Sequence, residues 1–398
     1  MPDDLPILAA MSSVERLRSV DALRGFVMIV MALDHVRDFF HRAAMSGASP
    51  TDLRVTTATL FLTRWATHIC APVFMLTAGL GAYFYWQRGQ RTKGQLSWFL
   101  VSRGCWLILL ELTVMQLAYN FDVSASYPIF LLVLWVLGAC MIVLAALVWL
   151  PMPWLAVLSV AAIVLHHLWD GVRVWNLVHQ VSVFQVAGRT VIAPYTLVPW
   201  FAVMALGFCM GPIFGRAADE RRRYLIRIGM GLTIAFVVVR ALNIYGDPSP
   251  WVAQALPPRT LLSFLNTTKY PPSLSFLLMT LGPALLILAW LDRRQLSRSN
   301  PLVVFGRVPL FYFVLHFFLA HAMAVVMAVV THGSAAWRFM FRPVPSMGGP
   351  LEAFPANFGY DLWVTYAMWV VLVVALYPAC LWFAAVKERR REWWLGYL

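Results

Sequence analysis

Charge is what this chain lacks. Only 12% of its 398 residues are Asp, Glu, Lys or Arg, about half the share of an ordinary soluble domain. A water-soluble fold needs that charge at its surface and a disordered chain needs more, so both are excluded. Paired-cysteine chemistry is absent too. Cys70, Cys105, Cys140, Cys209 and Cys380 each lie in an apolar run and form no CxxC or Cys/His spacing. Neither a disulfide framework nor a metal site is expected from them. No tract is polar enough to make a separate soluble domain, and no internal repeat is visible.

What remains is apolar. Hydrophobic residues make up 61% of the chain and the mean hydropathy is +0.72, so the solvent is lipid. About ten runs approach the roughly 20 residues that span a bilayer as a helix. They are Val20–Phe40, Leu62–Trp86, Leu100–Tyr119, Tyr127–Leu150, Pro153–Trp169, Thr196–Phe214, Leu225–Tyr245, Pro272–Leu291, Val303–Met327 and Leu362–Val386. The expected fold class is all-α: a polytopic integral membrane protein in one domain, residues 20–386, between an N-terminal tail (1–19) and a basic C-terminal tail (387–398). The N-terminal stretch opens with Asp3 and Asp4 and lacks a basic leader, so it reads as a cytoplasmic tail and not a signal peptide.

The net charge of +13 would suggest nucleic acid in a soluble protein. Here it reads as topology, with no nucleic acid needed. With the N-terminus inside, 20 of the 31 Lys and Arg residues fall on the cytoplasmic side or at cytoplasmic helix starts. The long outer loops Gly171–Pro194 and His332–Asp361 hold only Arg173, Arg189, Arg338 and Arg342. The positive-inside rule places both termini in the cytoplasm.

Function then belongs to polar residues that lipid would otherwise forbid. The first run is densest, with Asp21, Arg24, Asp34, His35, Arg37 and Asp38. At 100° per residue, Arg24 and His35 return to within roughly 20° of one direction, with Asp21 about 40° from His35. Asp38, three residues beyond His35, lies near the same stripe. His35 stands about 16 Å above Arg24. That separation suits an acyl-coenzyme A, with phosphates at one end and a thioester at the other. Arginine is the preferred phosphate clamp, and a neutral imidazole is the natural general base. The bland alternative is a helix-end Asp21–Arg24 pair and a structural His35.

Four segments carry a resemblance. They are Arg16-Leu-Arg-Ser-Val-Asp21-Ala-Leu-Arg-Gly25, Thr63-Arg-Trp-Ala-Thr-His68-Ile-Cys-Ala-Pro-Val-Phe74, Lys269-Tyr-Pro-Pro-Ser273 and Gly306-Arg-Val-Pro-Leu-Phe-Tyr-Phe-Val-Leu-His316. Together they resemble the bacterial DUF1624 (YeiB-like) branch of the transmembrane acyltransferase superfamily, related to lysosomal heparan-alpha-glucosaminide N-acetyltransferase. The resemblance implies transfer of an acyl group, in the first place acetyl, from cytoplasmic acetyl-CoA to a sugar hydroxyl or amine of an extracytoplasmic glycan. It further implies a bacterial inner membrane and a homodimer, and it involves no metal. The related acyltransferase-3 pattern has two arginines three apart on a later helix. Arg103 matches the second, whereas Leu100 occupies the first position. The lysosomal enzyme carries Asn where this chain has His35 and its catalytic histidine in the following loop, which makes His41 and His68 rival bases.

The expected site is therefore Arg24, Arg103, Arg307 and Asp21 at the donor end, and His35 with Asp34 or Asp38 at the reacting end. His68 or His316 supplies an oxyanion donor, and a covalent acyl-histidine is a second route. His316 is expected to face a cavity or another helix, while His321 reads as structural. A broken helix at Pro72 is expected to open backbone to a cavity beside His68. Pro271 and Pro272 suit a helical first turn, with Lys269 and Tyr270 as either interfacial anchors or an acceptor-binding edge. Arg103 and Glu111 read as an internal ion pair or as donor-phosphate ligands. His166, His167, His179 and His332 show no constellation. The competing class is a multi-pass transporter using the buried charges as a path, although no paired broken helices support it.

Overall fold

The computed structural model describes residues 18–121, 127–171, 177–390 and 392–397. The expected N-terminal tail thus lies almost wholly outside the described residues, as do Arg16, Arg173 and Arg391. The helices are α1 Arg18–Phe40, α2 Arg42–Met45, α3 Ala58–Thr67, α4 Cys70–Gln87, α5 Lys93–Leu110, α6 Gln116–Asn120, α7 Val133–Leu147, α8 Met152–Leu165, α9 Trp200–Cys209, α10 Ala218–Leu242, α11 Pro257–Leu265, α12 Leu274–Leu291, α13 Pro301–Arg307, α14 Pro309–His332 and α15 Leu362–Arg389. Among the described residues, seven helical stretches are long and apolar enough to cross a membrane: Ala58–Gln87, Lys93–Asn120, Met152–Trp169, Ala218–Leu242, Leu274–Leu291, Pro309–Arg338 and Leu362–Arg389. Two more of the expected runs hold the shorter apolar helices Val133–Leu147 and Trp200–Gly215. The first run holds α1, whose six charged residues stand at both ends of the helix and leave no long uncharged window.

The all-helical expectation needs one correction. The loop expected over 171–194 contains strands β2 Ser182–Val186 and β3 Arg189–Ala193, and β1 Ile129–Phe130 completes a sheet in the order β1-β3-β2. β2 and β3 are antiparallel, with β1 parallel to β3. Ala187 and Gly188, at φ 47° and 78°, form the left-handed two-residue turn whose twist matches a hairpin.

This charged helix is also central to the fold. α1 packs against α4, α12, α13, α14 and α15, so its polar side chains meet protein rather than lipid. The approach to α13 is closest at two glycines: a Cβ on Gly25 would strike the Leu302 carbonyl oxygen, and one on Gly306 the Asp21 carbonyl oxygen. The run Leu62–Trp86 breaks at Pro72, as expected, and the run Val303–Met327, expected to be continuous, breaks at Pro309. Pro72 has no N–H to give the carbonyl of His68, and its ring crowds that residue, so α3 ends at Thr67 and α4 begins at Cys70. Pro309 likewise pushes Val308 out of helical geometry (φ −129°, ψ 50°) and separates α13 from α14. Pro271 and Pro272 do not form a first turn. Ser273 caps α12 instead, accepting from the Phe276 amide at 3.0 Å.

Candidate functional site

A cavity of about 700 Å³ sits beside the C-terminal half of α1. Asp34, His35 and Asp38 line it from α1, His68 from the break between α3 and α4, and Lys269 and Tyr270 from the loop before α12. Six of the expected site residues thus share one chamber. A second cavity of about 260 Å³ lies beside the other half of α1, with Arg24 and Arg103 in its wall. Phe74, Val133 and Phe313 belong to both walls, so the two chambers adjoin.

His35 does not hydrogen-bond to either expected carboxylate. Its Nδ1 lies 2.6 Å from Nε2 of His316, and Nδ1 of His316 lies 3.2 Å from the Tyr312 carbonyl. A carbonyl only accepts, so neutral His316 carries its proton on Nδ1 and leaves Nε2 as an acceptor. His35 must then donate from Nδ1, which leaves its own Nε2 with a lone pair. This is the tautomer a base requires. Phe317 stacks on the His35 ring at 4.1 Å and fixes its plane.

Asp34 is held by cations. Its carboxylate pairs with Arg37 at 2.6 Å and with Arg64, while Asp38 pairs with Arg37 at 2.8 Å. Buried charges persist only when paired, and the chamber carries Arg37, Arg64 and Lys269 against two aspartates. Arg64 was missed as a site residue although it stands in the quoted segment. Its signal was a cation four residues before His68 on one helix face. His68 is 3% exposed, and its Nδ1 has no hydrogen-bond partner among the described residues. A buried polar atom of this kind ordinarily has a hydrogen-bond partner.

The surrounding scaffold explains the wall that carries Lys269 and Tyr270. Arg240 donates to the carbonyls of Ser249, Ser263, Phe264 and Asn266 at 2.7–3.2 Å. Asp247 accepts from Thr268 and from the Ser273 hydroxyl, the latter at 2.6 Å. These bonds fix the loop that carries Lys269 and Tyr270. Glu111 is neither paired with Arg103 nor aimed at donor phosphate. It accepts from Tyr119 at 2.7 Å and from the Leu134 and Trp135 amides at 2.8 and 3.1 Å, so it caps α7.

Other expected residues lie elsewhere. His41 is absent from the chamber wall; its Nδ1 accepts from the Ala43 amide at 3.1 Å and caps α2. Burial, with Arg37 and Arg42 nearby and Asp361 opposing, holds its pKa down at about 4. Arg307 pairs with Glu388 of α15 and lines neither chamber. Asp21 pairs with Arg24 at 3.4 Å, while Arg24 also donates to the Gly306 carbonyl at 3.1 Å. Arg103 donates to the Gly396 carbonyl of the C-terminal segment. His321 is structural as expected, stacked between Phe39 and Phe121 at 4.8 and 3.9 Å. Three of the histidines expected to show no constellation do form a cluster: His167 and His179 both contact Asp170, at 2.9 and 2.7 Å, with His166 against them. Among the described residues no group of three or more His, Cys, Asp or Glu is arranged to hold a metal ion.

Arg24, His35, His68 and Arg103 all fall within the stretch that a family profile recognises. That profile, described as heparan-alpha-glucosaminide N-acetyltransferase, catalytic, matches residues 16–247, more than half of the chain. Lys269, Tyr270 and His316 lie beyond the matched stretch. No curated protein matches the chain significantly. A family of acetyltransferases does not favour the transporter alternative. The chain belongs to the heparan-alpha-glucosaminide N-acetyltransferase catalytic family.

Proposed function

We propose that this protein moves an acetyl group from cytoplasmic acetyl-CoA to an amine or hydroxyl of a glycan on the far side of a bacterial inner membrane. In this reading the chain crosses the bilayer ten times, with residues 20–386 as one domain and both tails in the cytoplasm. The observation that carries it is the pair of adjoining chambers along α1, one with Arg24 and Arg103, the other with His35.

The donor fits the residues present. Two guanidiniums on one wall suit a diphosphate, and a 260 Å³ chamber suits the thin pantetheine arm while the nucleotide stays at the cytoplasmic rim. Phosphate oxygens replace the Gly396 carbonyl at Arg103. The acceptor enters from the outer side, past Lys269 and Tyr270. His35 Nε2 takes the proton of the acceptor O–H or N–H as its heteroatom bonds to the thioester carbonyl carbon. The C–S bond then breaks, and the proton passes from His35 to the departing CoA thiolate. His68, with its unpartnered ring nitrogen, donates to the developing oxyanion. His316 holds the His35 tautomer in the role expected of Asp34 or Asp38. Direct transfer needs no acyl-histidine.

The test is incubation of the purified protein with labelled acetyl-CoA and simple amino sugars. CoA release matched by labelled acceptor is expected. Acceptor flux into proteoliposomes without CoA release would overturn the proposal in favour of a transporter.

A further inference from the structure

Phe74 on α4, Val133 at the start of α7 and Phe313 on α14 separate the two chambers. None has a polar side-chain atom, whereas cations stand on either side: Arg24 and Arg103 below, Arg37, Arg64 and Lys269 above. The reacting base is close, since the His35 ring lies 6.4 Å from that of Phe313. The aperture is also stiff. Phe313 packs against His316 and Phe317, each at 5.5 Å. Val133 opens a helix whose next two amides are pinned by Glu111, so neither wall recedes without breaking buried contacts.

We propose that Phe74, Val133 and Phe313 form an apolar neck that selects the acyl chain, passing acetyl and rejecting longer groups. The inference rests on the acyl-CoA reading above. A donor whose phosphates stay with Arg24 and Arg103 brings its thioester to the neck from below, and the acceptor meets it from above. The acyl substituent is the part of the donor that must lie between the three side chains while the carbonyl carbon exchanges sulfur for the acceptor atom. Each added methylene then meets a packed aromatic wall. The same neck keeps water from the thioester.

The experiment uses the full chain in proteoliposomes with acetyl-, propionyl-, butyryl- and hexanoyl-CoA. CoA release is followed with glucosamine as acceptor, and binding of CoA itself is measured by calorimetry. In the unsubstituted protein kcat/KM is expected to fall about tenfold per added methylene. Phe74→Ala and Phe313→Ala are expected to flatten that series to within about threefold overall. Phe74→Leu and Val133→Ala make smaller holes and guard against loss of folding, and they should flatten the series partway. An unaltered slope in folded, active variants overturns the neck alone. Failure of the unsubstituted protein either to bind CoA or to release it from any acyl-CoA overturns the functional reading and the neck with it.

Discussion

At the scale of single residues, the decisive feature is a proton inventory. The Tyr312 carbonyl fixes His316, and His316 fixes His35, so one backbone atom determines which nitrogen of His35, the proposed base, is free. His35→Ala is expected to lower kcat by about 10²–10⁴-fold, the usual weight of a general base, with the KM for acetyl-CoA unchanged. His316 acts through His35. His316→Ala should cost about tenfold in kcat, the weight of one hydrogen bond, again without moving KM. His316→Gln, whose amide oxygen accepts the same N–H, should restore most of that loss; steady-state kinetics on the three variants separates positioning from mere packing. His41 shows how burial is read as pH dependence. Its folded pKa of about 4 lies below the ordinary 6.5, so the unfolded chain binds more protons between those values. Its stabilising contribution is whole above pH 6.5 and is lost as pH falls towards 4. Thermal melts in detergent should therefore drop less steeply over that window in His41→Asn, which keeps a cap without titrating.

At the scale of elements, the site is built where helices fail. Pro72 ends one helix and leaves His68 in the gap, and Glu111 caps α7 across a turn of wider helix at Glu111–Met115. Close packing of α1 on α13 is equally specific. Gly25→Ala or Gly306→Ala drives a methyl into a facing carbonyl and is expected to destabilise the protein by roughly 1–3 kcal/mol, read as a lower melting temperature in detergent. Gly81→Ala serves as the control, because nothing lies within 4 Å of its added Cβ.

At the scale of the whole molecule, the proposed topology sets the direction of chemistry. In a cysteine-free background, Ser297→Cys should react with an impermeant maleimide only from the cytoplasmic face, and Ser346→Cys only from the outer face. Labelling of both from one side would remove the transmembrane route. The helical frame is legible in the sequence, because a bilayer leaves few options: apolar length gives helices long enough to span, and the 100° step puts Arg24 and His35 on one stripe, while the sidedness read from loop cations belongs to the proposal. The small sheet was not legible, since β2 and β3 alternate only weakly between buried and exposed residues. Nor were the roles of Glu111, Arg307 and His41, because each depends on a partner far away in the chain or on a local cap.

The sequence by itself determined that the chain is built of apolar helices long enough to cross a membrane and that its first helix gathers polar groups on one stripe, because both follow from local composition and helical pitch. Only the tertiary structure decided which of those polar groups act together. Hydrogen bonds and charge pairs form across space. His316 stands 281 residues from His35, and Arg64 meets Asp34 from a separate helix. No spacing rule links such pairs; packing alone brings them within reach, and it alone sets an apolar neck between two charged chambers.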